Sequence, residues 1–403
     1  SVSAAWTLTN EAFMADRPGW INFLKVRASW GVNGNSSGLS SYAAYSNLDR
    51  NKVLNWSGGF FAANRLTIER IANPNLAWEK NDAFNLGIDY GFWGGRITGA
   101  LDIYTSTTTD LLLDKKLPVL TGFEEITTNV GSLKNSGFDL SVNTINVQTS
   151  DFRWTTSLNA SYNQNEIVSL TGELVDVVDE NGNVIGQEEP NDYDNGWFIG
   201  ENKDVIWNFE MGDVYSSDEA AEAEQWGLQP GDFRFIDQNG DGELTTEDKV
   251  YQGVTNNPWY LTMRNDFTWK NFDMGVVFLS KLGYKGGSTY PFNNAQELIK
   301  NHNWYSDIGY WTPNNQTTDF ARINSIRLNS DMRVYVPKDY LRLQNLSLGY
   351  NIPSDVLETI KVSRARLAFN ADNVFVLTKW YDGDPESRLE MPRTWSFSVD
   401  FSF

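Results

Sequence analysis

An all-β chain folded as a transmembrane antiparallel β-barrel is the fold class this sequence predicts, and three observations predict it. Apolar and polar residues alternate with a period of two in segment after segment. The gaps between those segments are alternately short and long. No apolar run reaches the roughly 18 residues of a membrane-spanning helix, a scan that barrel strands escape because they are apolar on one side only.

Composition narrows the field further. The 403 residues include 16 Trp, 17 Tyr and 23 Phe, too aromatic a chain for disorder. The length would suit two or three soluble domains, but barrels run longer as one unit. The absence of cysteine excludes disulfides, thiolate metal sites and thiol nucleophiles, and a single histidine, His302, leaves little for a histidine-based triad or metal centre. The chain opens Ser1-Val2-Ser3 with neither an initiator Met nor a leader, so its start is expected to be internal or processed.

The last segment carries the clearest pattern. Trp395, Phe397, Val399, Phe401 and Phe403 alternate with Thr394, Ser396, Ser398, Asp400 and Ser402, which puts apolar groups on one face and polar groups on the other. The same alternation marks Leu24–Asn33, Phe84–Phe92, Ile97–Ile103 and Phe152–Asn163. At 340–351 the phase slips after Leu343, and a one-residue bulge near Gln344-Asn345 would restore it. Strands are expected at about 1–9, 22–33, 78–93, 96–114, 126–148, 152–169, 257–269, 272–285, 332–351, 361–380 and 393–403. Gly94-Gly95, Thr149-Ser150-Asp151 and Lys270-Asn271 are tight turns, whereas 34–76, 171–256, 286–328 and 381–392 are long irregular polar loops. Tight turns on one side and long loops on the other are the asymmetry of outer-membrane barrels; a soluble sandwich has shorter strands and no such alternation. Eleven strands cannot close a barrel of even strand number, and two open edges in lipid would leave backbone groups unpaired, so part of a larger barrel is expected.

The net charge of −20 is concentrated. Residues 171–256 hold 22 Asp/Glu against 3 Lys/Arg, and the rest of the chain is nearly balanced, with 30 acids and 29 bases. Nucleic-acid binding is excluded on this balance.

Several stretches resemble the C-terminal part of the SusC/RagA family of TonB-dependent outer-membrane transporters. They are Leu24-Lys25-Val26-Arg27-Ala28-Ser29-Trp30-Gly31-Val32-Asn33-Gly34-Asn35, Asn73-Pro74-Asn75-Leu76-Ala77-Trp78-Glu79, Asn129-Val130-Gly131-Ser132-Leu133-Lys134-Asn135-Ser136-Gly137, Asp237-Gln238-Asn239-Gly240-Asp241-Gly242, Tyr340–Tyr350 and Pro392-Arg393-Thr394-Trp395-Ser396-Phe397. The resemblance implies a 22-stranded barrel of which this chain, residues 1–403, is the C-terminal half, with 171–256 an acidic extracellular excursion. It implies an N-terminal plug, a TonB-contacting segment and the other half of the barrel, none of them in this sequence, and a SusD-like lipoprotein as lid. The expected setting is the outer membrane of Bacteroidota, with lipid and lipopolysaccharide around the wall, long loops outside and the C-terminus periplasmic. The expected work is TonB-dependent import of large nutrients, oligosaccharides first and peptides second. The rival reading is a docking platform for surface glycan-binding or secretion components that imports nothing itself; a soluble β-sandwich lectin is the weakest alternative.

Candidate sites are few. Asp237, Asn239 and Asp241 fall at positions 1, 3 and 5 of a calcium loop, Gly242 at the turn, the Glu243 carbonyl at 7, Thr245 at 9 and Asp248 at 12. The departures are Asp where an EF-hand has Glu, and a strand-like Phe233-Arg234-Phe235 where it has a helix; a metal-free Asx-turn loop is the bland reading. Trp304, Tyr305, Tyr310 and Trp311 are candidate substrate contacts, set against plain loop packing, and Trp380-Tyr381 reads as an interfacial aromatic girdle. Terminal Phe403 resembles a barrel-assembly signal. No catalytic constellation stands out, because the carboxylate pairs fall where solvated charge is expected, so the chain is read as a non-enzyme.

Overall fold

The computed structural model describes residues 1–403 except 40–43, 55–61, 124, 180, 293–308, 318, 359–361, 388, 390 and 403. Trp304, Tyr305 and Phe403 therefore lie outside the described residues. The chain begins with β1 (Val2–Thr7) and β2 (Ile21–Asn35), then a hairpin of β3 (Asn47–Leu54) and β4 (Ala62–Arg70). Next come β5 (Glu79–Phe92), β6 (Ile97–Thr109), a short hairpin of β7 (Leu112–Lys116) and β8 (Glu125–Asn129), β9 (Ser132–Gln148) and β10 (Phe152–Ser169). The acidic segment holds β11 (Val175–Val178), β12 (Val184–Glu188), β13 (Val205–Phe209), β14 (Met211–Val214), α1 (Ala220–Gln225), β15 (Phe233–Phe235) and β16 (Lys249–Val254). The remainder is β17 (Trp259–Trp269), β18 (Phe272–Leu282), β19 (Lys285–Ser288), β20 (Val334–Pro337), β21 (Tyr340–Asn351), α2 (Ser354–Glu358), β22 (Arg364–Thr378) and β23 (Thr394–Ser402).

Eleven strands form one sheet in the order β1-β2-β5-β6-β9-β10-β17-β18-β21-β22-β23. They are the eleven the alternation predicts. Among the described residues β1 pairs only with β2 and β23 only with β22, so both edges of the sheet are open. The predicted bulge is present: Val277 pairs with Asn345 and Phe278 with Leu343, leaving Gln344 as the extra residue. The tight turns are held by left-handed residues, Trp93, Gly94 and Gly95 in one and Lys270 in another. Among the described residues no helix is long and apolar enough to cross a membrane.

The chain divides into two compact units, Ser1–Leu140 with Tyr162–Lys203, and Ser141–Ser161 with Asp204–Phe403. In the first, register aligns Val2 with Trp30 and Phe84, and Ala28 with Leu86 and Ile103. Cross-strand partners share a face, and on this one Val2, Trp30, Phe84, Leu86 and Ile103 are all exposed. The other face carries Lys25, Arg27, Ser29, Asp89 and Asp102. In the second unit Phe267, Met274, Leu348, Phe369 and Phe397 form one row on the apolar face, and Asp266, Gly275, Ser347, Asn370 and Ser396 form a row on the polar one. Water would disfavour so much exposed apolar surface, whereas hydrocarbon accepts it.

Three of the four long gaps are bridged or filled by regular pairing, which corrects the sequence reading of them as irregular. The gap 34–76 holds the pair β3–β4, the gap 171–256 holds β11–β12, β13–β16 and β14–β15, and β19 pairs with β20 across 286–328, whereas 381–392 holds no strand among its described residues. Four predicted strands also end early or split: the predicted 96–114 strand breaks at Asp110, at φ +57°, into β6 and β7, and β7 leaves the large sheet to pair with β8. Gly131, at φ +75°, separates β8 from β9; Gly283, at φ +87°, stops β18; and the predicted 332–351 strand divides into β20, which leaves the large sheet, and β21. Polar composition concealed these elements because short two-stranded pieces packed on one another need few apolar residues each.

Candidate functional site

The polar face of the sheet is built from ion pairs laid over glycines. In the first unit Arg27 donates through Nε and Nη2 to Asp89 at 2.9–3.1 Å and through Nη2 to Asp102 Oδ2 at 2.9 Å, and the Lys25 ammonium lies 3.7 Å from Asp89. Arg27 and Asp102 are the cross-strand neighbours of Gly87, where a Cβ would stand 2.6 Å from Asp102 Oδ1 and 2.7 Å from Arg27 Cζ. The second unit repeats the device. Arg366 makes a bidentate pair with Asp273, both bonds 2.7 Å, and a Cβ on Gly349 would meet the Asp273 oxygens at 2.5 and 2.6 Å. At Gly137 a Cβ would stand 2.0 Å from the Tyr162 carbonyl oxygen and 2.7 Å from the Tyr104 hydroxyl, which donates to Asn163 Oδ1 at 3.2 Å.

A hydrophobic core sits off this sheet, in the loop layer of the second unit. Phe209, Val214, Phe233, Phe235, Phe292, Ala321 and Met332 gather with Trp311. Trp226 packs edge-on against Phe235 at 5.1 Å. The buried Asp232 carboxylate ties the layer together: it accepts from the backbone N–H groups of Gln229 (3.0 Å) and Ile326 (3.2 Å) and from Arg322 Nη2 (3.1 Å). Trp311 is only 7 % exposed, so its ring packs the core instead of offering a stacking face; Tyr310 beside it is 36 % exposed. Of the four aromatic residues singled out in the sequence, only Tyr310 is described with an accessible ring.

The acidic loop is closed by its own backbone. Asp237 Oδ1 accepts from Gly240 N–H at 2.7 Å and Oδ2 from Gly242 N–H at 2.9 Å, with both glycines in the left-handed region. The Gly242 N–H leads the causes that hold the Asp237 carboxyl below the usual aspartate range. Asp248 is fully buried and accepts from the N–H groups of Gln238 (3.0 Å) and Thr245 (2.9 Å), while Thr245 caps the following short helical turn. Asp241 Oδ1 accepts from Glu243 N–H at 2.7 Å. Asn239 Nδ2 donates to Asp241 Oδ2 at 2.9 Å and to Glu247 Oε2 at 3.2 Å, so an amide donor stands between two carboxylates. Among the described residues no group of three or more His, Cys, Asp or Glu side chains converges as a metal cage.

Two further groups leave no signal in the sequence. Arg342 on β21 is buried, 2 % exposed, and its Nη2 donates to both oxygens of Asp384 at 2.8 Å; Glu386 is 3.4 Å from the same nitrogen and 3.0 Å from Lys281. This knot fastens the 379–392 connection to the strand ends. Trp380 and Tyr381 follow that connection inward: they stack at 5.9 Å, Lys338 lies 5.0 Å over Trp380, and Tyr381 meets Phe320 edge-on at 5.5 Å. Loop packing thus replaces the girdle role expected for them. In the first unit Glu189 folds back so that Oε1 accepts from the N–H groups of Leu170 (2.6 Å), Thr171 and Gly172 (2.8 Å), and Oε2 from Ser169 Oγ (2.8 Å). Burial acts to raise its pKa, but these donors outweigh burial and hold it below the ordinary glutamate value.

No protein-family model matches the chain. It is 30 % identical over 401 residues to TonB-dependent receptor P26 of Formosa agariphila, an alignment covering 96 % of this chain and 38 % of that protein. It is 27 % identical over 414 residues to TonB-dependent receptor SusC of Bacteroides thetaiotaomicron, covering 100 % of this chain and 39 % of that one. The chain thus spans about two fifths of the length of these relatives. Among solved structures it resembles the RagAB peptide transporter, with a TM-score of 0.72 at 24 % identity over 100 % of this chain and 43 % of that one. The same importer in its open-open state gives 0.73 at 23 %. At these identities the structural likeness is one of fold.

Proposed function

We propose, from the chain's kinship with the SusC/RagA-type TonB-dependent receptors of the bacterial outer membrane, that it builds wall and outer loops of an importer of large nutrients. The observation that carries this reading is the sheet's two-sidedness. An exposed apolar face suits lipid, and an ion-paired, hydroxyl- and amide-bearing face suits a water-filled or protein-filled lumen. The open edges at β1 and β23 are where further strands of a larger barrel would pair. In this arrangement the tight turns are periplasmic, and the long connections with their aromatic core stand outside, where a SusD-like lipoprotein would close over them. Energy would arrive through TonB acting on a segment outside this chain.

Oligosaccharides are the proposed cargo ahead of peptides, and the acidic excursion narrows either class. With 22 acids against 3 bases it disfavours polyanionic cargo and suits neutral or basic ligands. Tyr310 is the described residue best placed for stacking on a sugar or side chain, and calcium at Asp237, Asn239, Asp241, Glu243 and Asp248 is proposed as a structural ion of the loop layer. The test is uptake of labelled neutral oligosaccharides, acidic oligosaccharides and peptides by cells carrying the full transporter, with and without TonB. TonB-dependent uptake of the neutral class supports the reading. A transporter that assembles and captures its lid but imports none of the three would establish the docking-platform alternative.

A further inference from the structure

The outward face of the second unit is not uniform. Near the Lys270-Asn271 turn it opens into a groove of about 600 Å³ with almost wholly apolar walls. The register explains its shape. Trp269, Phe272, Tyr350, Leu367 and Val399 form the row nearest the turn, and Phe267, Met274, Leu348, Phe369 and Phe397 form the next. Large rings cluster at opposite corners: Phe272 lies 4.5 Å from Tyr350, and Phe369 lies 4.8 Å from Phe397. Between these two pairs runs the diagonal of Leu348 and Leu367, whose shorter side chains form the floor. Ring walls over a leucine floor make an apolar channel.

The mouth of the groove carries a cation. Lys270 sits at the hairpin tip in the left-handed region, and its backbone N–H donates to Asp151 O at 2.8 Å, which fixes the tip. Its ammonium lies 5.9 Å from the Trp269 ring, and no ion pair is formed by it among the described residues. An unpaired ammonium beside an indole, at the end of an apolar groove, matches a lipid whose phosphate meets the amine and whose chain lies between the rings. We infer that this face holds one glycerophospholipid, with an acyl chain along Leu348 and Leu367 and its phosphate at Lys270. The groove continues the apolar face assigned above to the membrane, so the inference rests on that reading, but it claims more: a seated lipid instead of fluid contact.

The experiment uses the full transporter in vesicles of phosphatidylethanolamine and phosphatidylglycerol, doped with phosphatidylethanolamine bearing a photoreactive group on its acyl chain. After illumination, crosslinks are mapped by peptide mass spectrometry. Labelling of the peptides containing Leu348, Leu367 and Phe397 is expected to exceed that at Leu86, Ile88 and Ile103, on the outward face of the other unit, by about threefold or more. Lys270→Glu is expected to abolish the excess, and a photoreactive diacylglycerol without phosphate is expected to show none. Leu348→Trp, which fills the floor without adding charge, should remove the excess while labelling elsewhere persists. Equal labelling of both outward faces, or an excess that survives Lys270→Glu, would overturn the seated lipid. Absence of labelling on either face would instead overturn the membrane reading.

Discussion

Arg342 and Asp384 meet through a single guanidinium nitrogen that donates to both carboxylate oxygens at 2.8 Å, in a place where neither residue sees more than a trace of solvent. A buried pair of this kind contributes little beyond what an apolar pair would, but half of it alone is costly. Asp384→Ala leaves Arg342 with only the more distant Glu386 and is expected to destabilise the outer layer by about 3–5 kcal/mol. Protease sensitivity in the 379–392 connection should rise, and the double change Arg342→Met with Asp384→Leu should recover most of the loss. Equal sensitivity in Asp384→Ala and the parent would show that the knot does not hold the loop.

Gly349 should tolerate no side chain. A Cβ there falls into the Arg366–Asp273 pair, so Gly349→Val is expected to cost about 1–3 kcal/mol or to break that pair outright. Gly186, with nothing within 4 Å of its Cβ position, is the control. The readout is the fraction of barrel that resists heat unfolding in detergent, and matching fractions for the two variants would argue against the glycine bed.

Trp311 and Tyr310 are neighbours with opposite roles. Trp311→Ala opens a cavity in the loop core and should lower stability by about 3–5 kcal/mol. Tyr310→Ala should leave barrel levels unchanged and weaken substrate binding, as measured by calorimetry on the full transporter. Loss of barrel with Tyr310→Ala would return that residue to packing.

Calcium requires a local rearrangement that can be watched. Asn239 Nδ2 occupies the space between Asp241 and Glu247, so the amide must turn its oxygen inward for an ion to enter. Terbium luminescence sensitised by nearby tryptophan should appear on titration and fall at least tenfold in Asp241→Ala. Luminescence identical in the parent and the variant would remove the loop as an ion site.

Glu189 sets a limit on acid stability. Its folded pKa lies below its unfolded one, so its contribution is fully present above the ordinary glutamate range and is lost as the pH falls through the lower folded value. Glu189→Gln, which keeps one acceptor and loses the charge, should speed amide exchange at Leu170–Gly172 at neutral pH, by an amount corresponding to about 1 kcal/mol. The difference from the parent should vanish once the pH has fallen through the lowered folded value. A difference constant with pH would mean that the charge is irrelevant.

The eleven sheet strands were legible because a two-sided sheet writes itself as alternation, and even the bulge at Gln344 shows as a slip of phase. The tight turns at 93–96, 149–151 and 270–271 were legible for the same reason. The loop layer was not: β13 to β16 join residues up to about fifty positions apart, and no local period records that. Asp237 and Asp241 looked like ligands from spacing alone, yet spacing does not say whether a carboxylate faces an ion or its own backbone. Trp311 was one of four clustered loop aromatics readable either as substrate contacts or as loop packing, and the packing could not be located because its surroundings come from Phe209, Phe233 and Met332, far away in sequence. Arg342 and Asp384, 42 residues apart, give no signal at all until the strands are set side by side.

Gly87 and Gly349 also bear on friction. An ion pair lying where a side chain would stand is almost flush with the backbone, and with Lys25 included the Arg27 group, like the Arg366 pair, sums to zero charge. Such stretches of wall present short-range dipoles without a protruding obstacle and without a net field to hold a passing solute. Movement past a surface demands attraction weak enough to release. In the proposed lumen, two such recumbent, self-neutralised groups would keep the wall wettable at Gly87 and Gly349 without adding an adhesive point there.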